Sequence, residues 1–194
     1  MACLDVQGFW SQGKFIVKEF GLVDLKCTEY GLYLFKPPFP SSKLSAKDVV
    51  TNNWLTRNYH HLEWESGFLE YEEFTSKMNR IGNHYDVLYV KGEQKRNFIM
   101  GFVPEKCIVV NLDTKGCPSL RLLARWSTAY TCPLVHPFCA MSNALRLCMW
   151  MSASYYRDYF TDEIMQWQEK IIVADEQRNH PENNKGVVVD EKSN

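Results

Sequence analysis

Apolar and polar side chains alternate loosely over Leu4–Phe9, and Ser11-Gln12-Gly13 then supplies turn chemistry. The β-rich run Phe15-Ile16-Val17-Lys18-Glu19-Phe20-Gly21-Leu22-Val23 follows, so the opening predicts a hairpin. A third strand is expected over Tyr30–Phe35, ending at Pro37-Pro38-Phe39-Pro40, because proline cannot donate to a ladder. Ser45-Ala46-Lys47-Asp48 reads as a capping box that opens a helix running to about Arg57. Tyr59–Trp64 shows no period. Phe74, Met78 and Ile81 recur at helical spacing within Tyr71–Ile81. Tyr85–Val90 and Cys107–Asn111 are compact apolar strands, with a helix over Glu93–Phe102 between them. Ser119–Trp126 and Asn143–Ser154 predict two further helices, the second with Ala144, Leu147, Cys148 and Met151 on one face.

Three early strands, then strands alternating with helices, give an α/β fold: a mixed sheet with a β-meander start, flanked by helices. A doubly wound nucleotide-binding fold is excluded, since it would open with βαβ and a glycine-rich phosphate turn. The chain has 194 residues, 45% hydrophobic and 23% charged, which excludes wholesale disorder. From Asp175 the large apolar residues thin out, so one domain over 1–174 and a solvated polar tail over 175–194 are expected. No run reaches the roughly 18 apolar residues of a membrane helix, and Met1-Ala2-Cys3-Leu4-Asp5 lacks a signal-peptide pattern. The expected location is intracellular, cytoplasmic or nuclear, with no membrane partner. A formal charge of −1 provides no global field for nucleic acid, so such binding would need a local basic face.

Seven cysteines in a reducing compartment point to thiols or metal ligands rather than disulfides. Cys132, His136 and Cys139 form a Cys-x3-His-x2-Cys cluster, the donor chemistry of a closed zinc site that lacks its fourth ligand. The alternative is a surface histidine between two ordinary thiols. Glu19 lies in an apolar strand, where a carboxylate either faces solvent or ligates something; Lys18, on the opposite face of a regular strand, is a poor partner for it. Asp5, an acid inside the first strand, is a weak candidate catalytic residue; the plainer alternative is a strand-edge or turn aspartate. His60-His61 with Glu63 and Glu65 offers a metal or acid/base group only if the loop kinks. Lys91, Lys95 and Arg96 around Gly92 are candidate nucleic-acid contacts, or simply a solvated helix face. The thiols at 27, 107 and 117 read as core filling.

Asp5 followed by Phe15–Val23, together with Cys139-Ala140-Met141-Ser142-Asn143-Ala144-Leu145, resembles the first and last motifs of the DEDD-type 3′–5′ exonucleases, within the ribonuclease H-like fold. The catalytic positions depart from that family. Gln7 replaces its second acid, Gly92-Glu93-Gln94-Lys95 stands where its middle aspartate belongs, Asn143 replaces its last aspartate, and Phe138 its histidine. One carboxylate of four cannot hold two divalent ions. The Maelstrom domain, a branch of the same fold associated with small-RNA silencing of transposons, has a Glu-Cys-His-Cys zinc set in place of the acids. The order Glu19, Cys132, His136, Cys139 is similar to it, and the resemblance implies that Glu19 is the fourth ligand. Asp5–Phe9, Phe35–Pro40, Asn53-Trp54-Leu55 and Tyr89–Gly92 also resemble arthropod proteins associated with mobile elements or viruses.

The resemblance implies a degenerate, zinc-clasped nuclease-fold protein that binds nucleic acid, single-stranded RNA foremost. Trp54 or Trp64 would be the stacking surface. Two other classes stay open. One is a Mg²⁺- or Mn²⁺-dependent exonuclease or ribonuclease with Glu93 or Asp113 beside Asp5; the other is a module that binds a protein partner without catalysis.

Overall fold

The computed structural model describes residues 1–126 and 139–157. The chain divides into two compact units, Met1–Ser152 and Ala153–Asn194, and the last turn of one helix is all that is described of the second. The tail expected over 175–194 lies outside the described residues.

The first unit is built on a five-stranded mixed sheet in the order β3-β2-β1-β4-β5. β1 (Ala2–Ser11), β2 (Lys14–Asp24) and β3 (Tyr30–Leu34) form the antiparallel meander, turned at Gln12-Gly13, where both residues have positive φ. β4 (Val87–Val90) joins the other edge of β1 in parallel, and β5 (Ile108–Asn111) joins β4 in parallel. β2 alone therefore runs against the other four strands. This is the mixed α/β sheet with a meander start that the chain's pattern predicts.

Helices supply the rest. α1 (Ala46–Leu55) opens on the expected cap: Ser45 Oγ accepts from the Asp48 amide at 3.1 Å and donates to the Asp48 carboxylate at 2.8 Å. α1 continues as a π-helical turn, Thr56–His60, which takes in the first two residues of the segment without a period and is closed by His61 in the left-handed region. α2 (Glu73–His84) precedes β4, and α3 (Glu93–Met100) lies between β4 and β5. α4 (Leu120–Trp126) and α5 (Ala140–Arg157) complete the described elements; α5 starts three residues before the sequence signal at Asn143.

Alternation splits β1 and β2 between two cores. Leu4, Val6, Val17, Phe20 and Leu22 pack against Phe74 and Met78 of α2 and Ile99 of α3. Cys3 and Val23 pack against Ala144, Leu147 and Cys148 of α5. A third cluster, Phe9, Ile16, Leu62 and Trp64, closes the far end of the hairpin. The register shifts once, between Gln7 and Gly8: Gln7 faces Glu19 while Gly8 faces Val17, so Lys18 is the extra residue of a β-bulge. Its amine donates to the carbonyls of Trp64, at 2.7 Å, and Ser66. It does not simply face away from Glu19 in a regular strand, as expected; the bulge gives it its own environment.

Candidate functional site

The hairpin register places Asp5 opposite Gly21 and Gln7 opposite Glu19, on the sheet face that α5 covers. Gly21 permits the contact. A Cβ there would lie 2.2 Å from the Met141 nitrogen, so only glycine lets the first turn of α5 rest on β2. The amide of Ala140, at the start of α5, thereby donates to Glu19 Oε2 at 3.0 Å. The helix N-terminus favours the negative charge. Just before it, Cys139 is fully buried; its Sγ accepts from the Ser142 amide at 3.3 Å and lies 3.2 Å from Ser142 Oγ.

Glu19 is buried, and its second oxygen, Oε1, has no hydrogen-bond partner among the described residues. Burial pushes its carboxyl up to about 7; the Ala140 N–H opposes that rise and the charge of Asp5 adds to it. An orphaned carboxylate oxygen beside the residue that carries a buried thiol suits zinc, which accepts oxygen and sulfur donors. Of the expected set, the structure seats the residue after Cys139 against Glu19. Cys132 and His136 lie outside the described residues, as does Phe138. Among the described residues no three His, Cys, Asp or Glu side chains gather to hold a metal ion.

Asp5, also fully buried, is occupied. One carboxylate oxygen accepts from Lys95 Nζ of α3, the other from Asn143 Nδ2 of α5 at 2.8 Å. Asn143 Oδ1 in turn accepts from Arg146 Nη1 at 3.2 Å. Arg146 is buried, and burial lowers its guanidinium pKa while Cys139 opposes that effect. A chain of polar contacts thus crosses from α3 through β1 to α5. The other acids weighed for a divalent ion are engaged too: Glu93 accepts from Arg96 Nη1 at 2.9 Å and from Asn111 Nδ2 at 3.2 Å, and Asp113 pairs with Lys91.

The three candidate phosphate contacts therefore all have internal partners. Lys91 holds Asp113 and the Cys117 carbonyl, Lys95 holds Asp5, and Arg96 holds Glu93 and the Val109 carbonyl. Beside Lys95, the structure leaves an opening. β4 pairs with β1 at Ala2 and Cys3, and beyond Cys3 the edge of β1 is flanked by α3 and the π-helical turn. Between them lies a cleft of about 450 Å³ whose walls include Trp10, Phe15, Tyr59 and Phe98, with Gln7 and Lys95. Trp10 and Tyr59 are exposed.

Several expectations change here. Trp64 is buried and donates to the Phe39 carbonyl at 3.0 Å, so it is no stacking platform, whereas Trp54 is 58% exposed. His60 is a buried structural residue. Its Nδ1 accepts the Leu62 amide at 3.1 Å, which leaves Nε2 to donate to the Gly8 carbonyl at 3.0 Å. Cys27 is exposed rather than core filling, unlike Cys107 and Cys117. Asn143, the partner of Asp5, stands where the resemblance puts the family's last aspartate, whereas Arg146, which holds Asn143 from three positions on along α5, carries no local sequence signal.

No family model, curated protein or solved structure matches the chain. No described helix is long and apolar enough to cross a membrane.

Proposed function

We propose that this chain is a catalytically silent, ribonuclease H-like module that carries a structural zinc ion on Glu19, Cys132, His136 and Cys139 and binds single-stranded nucleic acid, RNA foremost. The fold assignment is supported by the strand order 3-2-1-4-5 with β2 alone reversed, built from a meander and two added parallel strands. Silence is supported by Asp5: a carboxylate that already holds a lysine and an asparagine is poorly placed to recruit a divalent ion.

The observation that carries the reading is Glu19 Oε1, buried and partnerless, on a side chain whose other oxygen holds the residue after Cys139. Leaving such an oxygen unsatisfied costs on the order of 1–3 kcal/mol, more if ionised, and a metal ion removes that cost. Zinc there would cross-link β2 to the segment entering α5 and act on folding. Glu19 and Cys139 would hold it from the described side. The nucleic-acid half rests on the aromatic cleft at the open edge of β1 and on exposed Trp54 nearby on α1, surfaces on which bases stack without regard to sequence.

Metal analysis of the purified chain beside Glu19→Gln and Cys139→Ser tests the clasp. One zinc per chain, lost in both variants with lowered stability, is expected; a stable, zinc-free parent overturns it. Titration with a single-stranded RNA oligomer at low and moderate salt tests the second half, with Trp54→Ala and Tyr59→Ala each expected to weaken binding by about 1–3 kcal/mol. No binding at low salt would leave a protein-interaction module. Mn²⁺-dependent cleavage abolished by Asp5→Ala would restore the nuclease.

A further inference from the structure

A second group of reactive side chains lies on α5, away from the polar chain around Asp5. Cys148 is fully buried, and its Sγ stands 3.5 Å from that of Cys27 and 3.2 Å from the Asp24 carbonyl oxygen. Cys3, in β1, is buried in the same cluster as Cys148. No disulfide joins the described cysteines.

The setting of Cys27 is unusual for an ordinary thiol. It is exposed, in the loop between β2 and β3, with φ +55 in the left-handed region that side chains seldom adopt. The loop is built to hold it there. The Cys27 amide donates to the Asp24 carbonyl at 2.9 Å, while the Asp24 carboxylate takes the amides of Lys26, Thr28 and Glu29. One thiol thus faces solvent with its sulfur against a buried partner 121 positions away. Two sulfurs in van der Waals contact need to close by roughly 1.5 Å to bond.

The geometry points to Cys27 and Cys148 as a reversible dithiol–disulfide pair, with Cys27 the solvent-facing entry thiol, Cys148 the resolving thiol, and a low-molecular-weight disulfide as oxidant. The Cys27 thiolate attacks one sulfur of the reagent, expelling one thiolate and leaving a mixed disulfide on Cys27. The Cys148 thiolate then attacks Cys27 Sγ and expels the second. The two cysteine protons end on the two reagent thiols; the protein loses two electrons and the reagent gains them. Cys148 suits the resolving role by position, its buried sulfur 3.5 Å from that of Cys27; neighbouring Cys3 draws its thiol down against the effect of burial, helped by Cys27 and Ser152. The residue is exposed, but its sulfur lies against Cys148, and this shielding from water pushes the Cys27 thiol up. The bond would tie the β2–β3 loop to the helix that carries Asn143. This inference does not depend on the zinc or nucleic-acid reading.

The test uses the full chain incubated with glutathione disulfide, alkylated, and peptide-mapped without reduction. The expected product is a Cys27–Cys148 cross-linked peptide, two hydrogens lighter than its parts and reversed by dithiothreitol. The thermal midpoint should rise by roughly 10 °C on oxidation. Cys27→Ser, at an exposed site, should keep the parent's circular dichroism and lose both the cross-link and the rise. A lasting glutathione adduct on Cys27 with Cys148 unpaired, pairing of either residue elsewhere, or no reaction under conditions that oxidise the urea-unfolded chain would each overturn the proposal.

Discussion

On one face of the sheet Phe74 lies among the rings of Phe20, Phe35, Phe98 and Phe102, with centroids 4.9–6.3 Å apart, and Met78 fills beside it. On the other face, Asp5, Gln7, Glu19, Asn143 and Arg146 are buried as well. The same two strands supply both. Oil and aromatic edges need no directional partners, so the first face gains stability from area and shape alone. The second must find a partner for each polar atom as it leaves water, and nearly all of its atoms do. That face is built at a cost in desolvation, and Glu19 Oε1 is left on it without a partner.

The contrast can be broken most severely on the aromatic side. Phe74→Ala should cost about 4 kcal/mol, measured by urea denaturation, while metal content per folded chain stays unchanged. Gly21→Ala attacks the polar side where β2 meets α5. The new methyl has only backbone to displace, so a loss of about 3 kcal/mol is expected, with metal content falling in parallel. An unchanged melting curve would mean that α5 does not rest on β2. Asn143→Ala removes one of the two partners of Asp5 and should cost about 2 kcal/mol, less than Phe74→Ala because Lys95 remains.

A last effect is one of pH. Burial pulls the Lys18 amine down from 10.5 to about 8, with the charge of Glu65 opposing. Between about pH 8 and pH 10.5 the unfolded chain therefore holds more of this proton than the folded one, and the Lys18 contribution to stability rises with pH. Stability of the parent relative to Lys18→Met should climb across that window. A flat difference would mean that the amine stays solvated.

The strands, the Ser45 cap and the amphipathic faces of α2 and α5 were legible because each is written in neighbouring residues: alternation, a cap three positions from its amide, a period near 3.6. The site was legible only as separate candidates. That Glu19 occupies an apolar strand is visible in sequence. That its carboxylate meets α5 depends on a packing distance at Gly21, which has no local signature beyond being glycine. Asp5 looked like an isolated acid because Lys95 and Asn143 lie 90 and 138 positions away. Trp64 looked like a surface ring because burial of an indole depends on whether its N–H finds an acceptor, here the Phe39 carbonyl.

The bulge at Lys18 sets two reading frames in one strand. Ahead of it the even-numbered Ile16 shares a face with the odd-numbered positions of β1; after it the odd-numbered Glu19, Gly21 and Val23 do. Deleting Lys18 would leave Val17 opposite Gly8 and Glu19 opposite Gln7, an unbroken ladder with every neighbour on its own side. Deleting a residue farther along β2 would instead turn the residues between the gap and Lys18 to the opposite face. Among related chains, a one-residue gap in this hairpin should therefore fall at the position of Lys18, where the length of the strand can change without changing what either core receives.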